Sequence, residues 1–231
     1  MPLTLTAIQR RVLGVLIEKS LTTPGSYPMS LNALVTGCNQ LTCRDPVMNV
    51  TEAEVSKAVY ELQRLLIVKQ ADPDRTARVN RFKHNVEERW GWDNRQRAIM
   101  AELLLRGPQT VGELKANASR MTPITELQYV ADLLANFAAQ DPPLVRELPR
   151  QPGRSVPRFD HTFYPDDEPH AGTAAPTAVT SAPASAGPAT APATPATPPG
   201  PDISALEARV ARLEAELAEL REQVRSLKPE P

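Results

Sequence analysis

Cys38, Cys43, His84, His161 and His170 are the residues best suited to hold a metal or attack a substrate. Their spacing argues against both. Two cysteines supply half of a structural zinc site, and no repeated Cys or His spacing supplies the other ligands. His84 is distant in sequence, and His161 and His170 have no evident nucleophile beside them. There is no glycine-rich phosphate loop, no H-E-x-x-H and no paired acids in a recognisable context. The expectation is a non-enzymatic protein without metal or cofactor, in which Cys38 is a small core residue. The chemistry that remains is charge. Arg75, Arg78, Arg81 and Lys83 form one basic cluster, and Arg150, Arg154 and Arg158 form another. Such clusters can ride on a phosphate backbone or simply keep a hairpin solvated.

The chain has 231 residues and a net charge of -1, which conceals an asymmetry. Residues 1–164 carry 21 Lys or Arg against 17 Asp or Glu, whereas residues 165–231 carry 5 against 10. The mildly basic first part permits DNA binding without demanding it. No apolar run reaches the roughly 18 residues of a membrane span. The N-terminus lacks a basic start and a long apolar core, so no secretion signal is expected and a cytoplasmic protein is the simplest reading.

The elements that must position the charges follow from periodicity and capping. Leu5, Ile8, Val12, Leu13, Val15 and Leu16 recur at helical spacing, with Thr6 and Gln9 as a capping box. Ser30 caps a second helix whose apolar face is Leu31, Leu34, Val35 and Cys38. A polar loop over residues 39–49 leads to a third helix, capped by Thr51 and Glu54, with Val55, Ala58, Val59, Leu62 and Leu65 inward. Lys57 and Arg64 fall on its other face, where they could reach a partner or serve only as solvated charge. Ile67 and Val68 begin a strand, and residues 77–84 return as its partner.

The order then repeats. Ile99, Met100, Leu103 and Leu104 mark a helix; Thr110 and Glu113 cap the next; Leu127, Val130, Ala131 and Leu134 mark a third. Strands over residues 144–148 and 156–163 flank the second basic turn. Three helices and a hairpin, twice, predict a mainly α fold with small β-hairpin wings. The expected architecture is tandem winged helix-turn-helix domains over residues 1–88 and 89–164.

The string S-L-N-A-L-V-T-G-C-N-Q-L-T-C-R-D-P-V-M-N-V-T-E-A-E-V resembles the signature of the YceH family of bacterial proteins. The resemblance extends over residues 3–164 and implies two winged-helix domains with no established activity. It singles out Asn39, Gln40, Arg44, Pro46, Val47, Met48 and Asn49 as a signature loop, to contact a partner or to cap helix ends and shape the loop.

Residues 165–201 contain 10 Pro in 37 positions, amid Ala and Thr, and read as a disordered spacer. Over residues 202–228, Ile203, Val210, Leu217 and Val224 occupy heptad position a, and Leu206, Leu213, Leu220 and Leu227 occupy d. Branched residues mostly at a with Leu at d favour a parallel two-stranded coiled coil, hence a homodimer through residues 203–227. A trimer, a heterodimer or a helix docked on its own protein are the alternatives. Two functions follow as expectations. One is a dimeric protein that binds duplex DNA; the other is a scaffold that binds a protein partner.

Overall fold

The computed structural model describes residues 3–71, 79–149, 156–165 and 168. Arg75, Arg78, Arg150, Arg154 and the heptad residues 203–227 lie outside the described residues, as does the spacer apart from 165 and 168. The chain is mainly helical with small antiparallel sheets. Its elements in order are α1 (Ala7–Thr22), β1 (Met29–Ser30), α2 (Leu31–Cys38), α3 (Glu52–Arg64), β2 (Val68–Gln70), β3 (Arg81–His84), α4 (Val86–Trp90), α5 (Asn94–Arg106), α6 (Val111–Ala118), α7 (Leu127–Ala138), β4 (Val145–Glu147) and β5 (Phe159–His161). Among the described residues no helix is long and apolar enough to cross a membrane.

Local chemistry explains most helix starts. Thr6, Thr51 and Thr110 each accept a backbone N–H from the third residue of their helix, and Gln9, Glu54 and Glu113 return the bond to the cap. Asp93 and Gln96 make the same box for α5, and Ser30 caps α2 alone. Each cap satisfies donors that the first helical turn leaves open.

The two sheets have a common plan. In the first, β3 lies between β1 and β2, with Met29 opposite Phe82 and Val68 opposite His84. In the second, β4 pairs with β5, and Gln109 exchanges both backbone bonds with Phe159. Met29–Ser30 and Gln109 each run directly into a capped helix. Both halves therefore hang a hairpin on the residues that start their second helix.

Helix α1 is the centre of this body. Every residue from Gln9 to Glu18 is buried, because α2 and α3 cover part of it and α5 another part. The tight approach depends on Gly14. A Cβ there would lie 2.9 Å from Leu105 Cγ and 3.2 Å from Leu104 Cβ. The apolar core runs without a break from Leu5 through Leu105 to Phe163. Leu5 N–H donates to Phe163 O at 2.8 Å, and Trp92 stacks on Trp90 at 4.6 Å while meeting Phe137 at 5.7 Å.

Two expected core positions are corrected. Leu65 is 37 % exposed, because it lies past the last turn of α3 as its C-cap. Leu127 is 52 % exposed as the first residue of α7, whose buried stripe is Val130, Leu133, Leu134 and Phe137. That helix starts at Leu127, after an extended N-cap residue Glu126. Val156 is exposed and precedes β5, which is shorter than expected.

In an exposed helix Gly→Ala stabilises by about 1 kcal/mol. Gly14→Ala is expected to do the opposite, costing about 1–3 kcal/mol through overpacking against Leu104 and Leu105. Urea unfolding measures the sign directly; a stabilised variant would mean that α1 and α5 do not touch at Gly14.

Candidate nucleic-acid interface

The outward face of α3 carries Lys57, Tyr60 and Arg64, all exposed. Tyr60 is 63 % exposed, an aromatic ring left in water between two cations. Lys57 makes a long ion pair with Glu61 at 4.0 Å. The acidic start of the helix keeps its charge but is tied down locally. Glu54 folds back on Thr51, accepting from its N–H at 2.8 Å and its hydroxyl at 2.7 Å, and these bonds hold its carboxyl below the ordinary range. Glu52 remains exposed in the first turn.

The hairpin adds a second cationic face. Arg81 and Lys83 share one side of β3, while Phe82 and His84 take the other. Lys83 lies directly opposite Lys69 of β2. Like charges facing each other across a ladder destabilise it, and Glu88 answers them: it pairs with Lys69, whose hydrogen bond and charge hold its carboxyl low, with a smaller contribution from Lys83. Lys69 was not singled out in the sequence, although the V-K-Q alternation places it on the outer face. Arg81 also donates to Pro28 O at 2.9 Å, leaving an exposed side chain tethered to the loop before β1.

The second half is unlike the first. Helix α7 exposes Gln128 and Asp132, bonded to each other at 2.8 Å, and holds no Lys or Arg. Arg158 is half-buried, donating to Pro108 O, so it braces the turn after α5.

The signature loop is built inward as much as outward. Asn39 copies a backbone pairing with Val50, donating to its O at 2.8 Å and accepting from its N at 2.7 Å. Gln40 Oε1 accepts from Lys19 and from Arg44, each at 3.3 Å. Pro46 O accepts from Arg11 at 2.5 Å. Asn49, Leu41 and Val47 remain exposed, the last two at 78 % and 53 %.

Arg44 enters the core and binds Glu18 of α1 bidentately, at 3.2 and 2.5 Å. Arg120, just after α6, meets Glu18 from the other half at 2.6 Å and Glu102 of α5 at 2.7 Å. Arg106 completes the chain on Glu102 at 3.1 Å. Burial alone would push the Glu18 carboxyl up, but the hydrogen bonds and charges of Arg44 and Arg120 outweigh it and hold it low.

Of the residues considered for metal chemistry, His170 lies outside the described residues. Cys38 is fully buried, and burial pushes its thiol up to about 12. His84 Nε2 meets Ser20 Oγ at 2.9 Å, and its backbone N–H donates to Tyr27 Oη at 2.7 Å. Among the described residues no group of three His, Cys, Asp or Glu could hold a metal ion.

The buried Glu18 and His84 each have a measurable consequence. Glu18→Ala leaves Arg44 unpaired in the core and is expected to cost about 3–5 kcal/mol in denaturant unfolding; a loss below 1 kcal/mol, on the order of a surface pair, would contradict the network. His84 is pushed down to about 4, first by burial and then by Arg97. The unfolded chain therefore binds the proton more readily, so this stability is complete above the unfolded pKa of about 6.5 and is lost as pH falls toward 4. Between pH 7 and pH 4 the wild type should lose about 1–3 kcal/mol more than His84→Gln. Parallel pH profiles of the two would refute this.

Comparison with known proteins gives the lineage. Residues 5–154 match the family described as a protein of unknown function, DUF480. A UPF0502 protein of Geobacter sulfurreducens is 46% identical over 178 residues, covering 76% of this chain and 80% of the relative. A UPF0502 protein of Burkholderia pseudomallei is 45% identical over 170 residues, covering 74% and 71%. Another, of Paraburkholderia xenovorans, is 48% identical over 157 residues, covering 68% and 65%. The chain belongs to this DUF480, or UPF0502, family of uncharacterised bacterial proteins.

Proposed function

We propose that this protein is a non-enzymatic, cytoplasmic binder of duplex DNA, built from tandem winged-helix domains and dimerised by the heptads of residues 203–227. The observation that carries the reading is the outward face of the α3–β2–β3 segment. Lys57, Tyr60 and Arg64 stand on the helix, and Lys69, Arg81 and Lys83 stand on one face of the hairpin. In a winged helix the third helix enters the major groove and the wing follows the phosphate backbone. Lysines and arginines would supply the sequence-independent attraction, and Tyr60 a contact to sugar or base. The order helix, capped helix, helix, hairpin in both halves supports the winged-helix reading, as does the resemblance to the YceH family. The homodimer would present two such faces, as a palindromic site requires.

A second reading has its own support. Helix α7, which carries no Lys or Arg and exposes Leu127 at its start, suits a protein contact better than a phosphate backbone. On that reading the protein is an interaction scaffold and the cationic face only keeps it solvated.

Fluorescence anisotropy with random-sequence duplex DNA separates the two. The full-length protein should bind, with affinity falling steeply as salt rises. Lys57→Ala with Arg64→Ala should weaken binding about tenfold or more, and neutralising Arg81 and Lys83 should lower the salt slope by about one per lost phosphate contact. Absence of binding at low salt, or unchanged affinity in the substituted proteins, would favour the scaffold.

A further inference from the structure

The polar side chains of the signature loop are unequally engaged. Asn39 pairs with Val50, Gln40 accepts from Lys19 and Arg44, and Arg44 binds Glu18. Asn49 is exposed, and its amide makes no hydrogen bond among the described residues. Its backbone is nevertheless anchored. Val50, the next residue, is buried and held by Asn39 at both its N–H and its C=O, and Thr51 beyond it is the N-cap of α3. An unengaged amide, donor and acceptor together, thus stands two residues before the cap of the helix that carries the cationic face. That face is graded along its length. Ala53, Ser56, Lys57, Tyr60 and Arg64 are all exposed and recur at the spacing of one side of a helix. The N-terminal end is small and uncharged, and the cations follow it. The Ser56 hydroxyl, like the Asn49 amide, has no hydrogen-bond partner among the described residues. Glu52 is exposed at the margin of the small end, about 100° around the helix from Ala53, and repels phosphate there.

We infer that Asn49, together with Ala53 and Ser56 of α3, reads base edges in the major groove and gives the protein a preference for sites containing an A·T pair at the Asn49 position. The inference rests on the duplex-DNA reading and adds sequence specificity to it. An Asn amide matches adenine bidentately, donating to N7 and accepting from N6; an Ala methyl packs on the thymine methyl, and a Ser hydroxyl serves either pair. The first residues of a recognition helix are the ones that reach the bases. The cations further along attract phosphate, which carries no sequence information. Bidentate readout also requires a fixed amide, because the two bonds form only in one plane. The Asn39 pairing with Val50 and the Thr51 cap fix the backbone on which Asn49 stands. An uncharged end bordered by Glu52 is suited to a base edge and not to the backbone.

The test selects duplexes from a random-sequence library with the full-length wild type and with Asn49→Ala, and then measures both proteins by fluorescence anisotropy on the wild type's selected duplex and on random duplex. The readout is the ratio of the two affinities at one salt concentration. Wild type should enrich a motif and favour it over random duplex by about tenfold or more. Asn49→Ala should lower that ratio about tenfold, the loss of one bidentate contact, and one A·T position of the motif should become degenerate. Lys57→Ala should weaken binding to both duplexes and keep the ratio, because a phosphate contact is blind to sequence. Thermal unfolding verifies that Asn49→Ala is folded; Asn49→Asp serves in its place if it is not. Three results overturn the inference and leave the DNA reading standing: salt-sensitive binding with no enriched motif, an unchanged ratio in the Asn49 variant, or degeneracy at a G·C pair. Absence of wild-type binding to any duplex at low salt removes the DNA reading, and the inference with it.

Discussion

Glu18 lies in the C-terminal part of α1 without solvent contact, and two arginines reach it from different halves of the chain. Arg44 comes from the loop after α2, and Arg120 from the turn after α6. An isolated buried carboxylate would be untenable. Each arginine is therefore required where it is, and the loops that carry them are fixed as a consequence. Arg120 also binds Glu102, so the two buried acids of α1 and α5 share one cation. Gly14 brings those helices close enough for the sharing. The remaining architecture follows from this junction: with α1 enclosed, α2 and α3 take up its free sides and α3 turns its opposite face to water.

Such a network is weak evidence for stability and better evidence for specificity. Apolar residues of the same volume could fill the space at no loss. What they could not do is define which loop meets which helix. Arg44 draws the signature loop against α1, Asn39 copies a strand pairing with Val50, and Arg11 holds Pro46 O. The loop is thus shaped from beneath by polar contacts while Leu41, Val47 and Asn49 face outward. Its string of residues combines inward polar contacts with an exposed outer side.

Much of the fold was legible because the deciding interactions are local. Thr6 with Gln9, Thr51 with Glu54 and Thr110 with Glu113 lie three residues apart, and the backbone geometry of a helix start brings each pair together regardless of context. The apolar stripe of α3 was readable for the same reason, up to the point where the helix ends. Leu65 and Leu127 keep the period but sit beyond or at a helix terminus, where spacing no longer specifies direction. The charged contacts were not legible. Nothing in the spacing of Glu18, Arg44, Arg120 and Glu102 announces that they meet, because their pairing is a property of how α1 and α5 pack. Lys69 was overlooked because a lone lysine in a short strand acquires meaning only from its cross-strand neighbour, Lys83. Glu168 was read as part of a spacer from composition, and Arg10, with which it pairs, lies at the far end of the chain.

The central claim is that α1 and α5 form one core through which both halves stand or fall together. Native-state hydrogen exchange on the full-length protein tests it most directly. If the claim holds, the slowest amides of α1, α3, α5 and α7 exchange with the same opening free energy, that of global unfolding. If the amides of α5 and α7 exchange through a separate, lower-energy opening while α1 and α3 stay protected, the halves are independent and the claim fails.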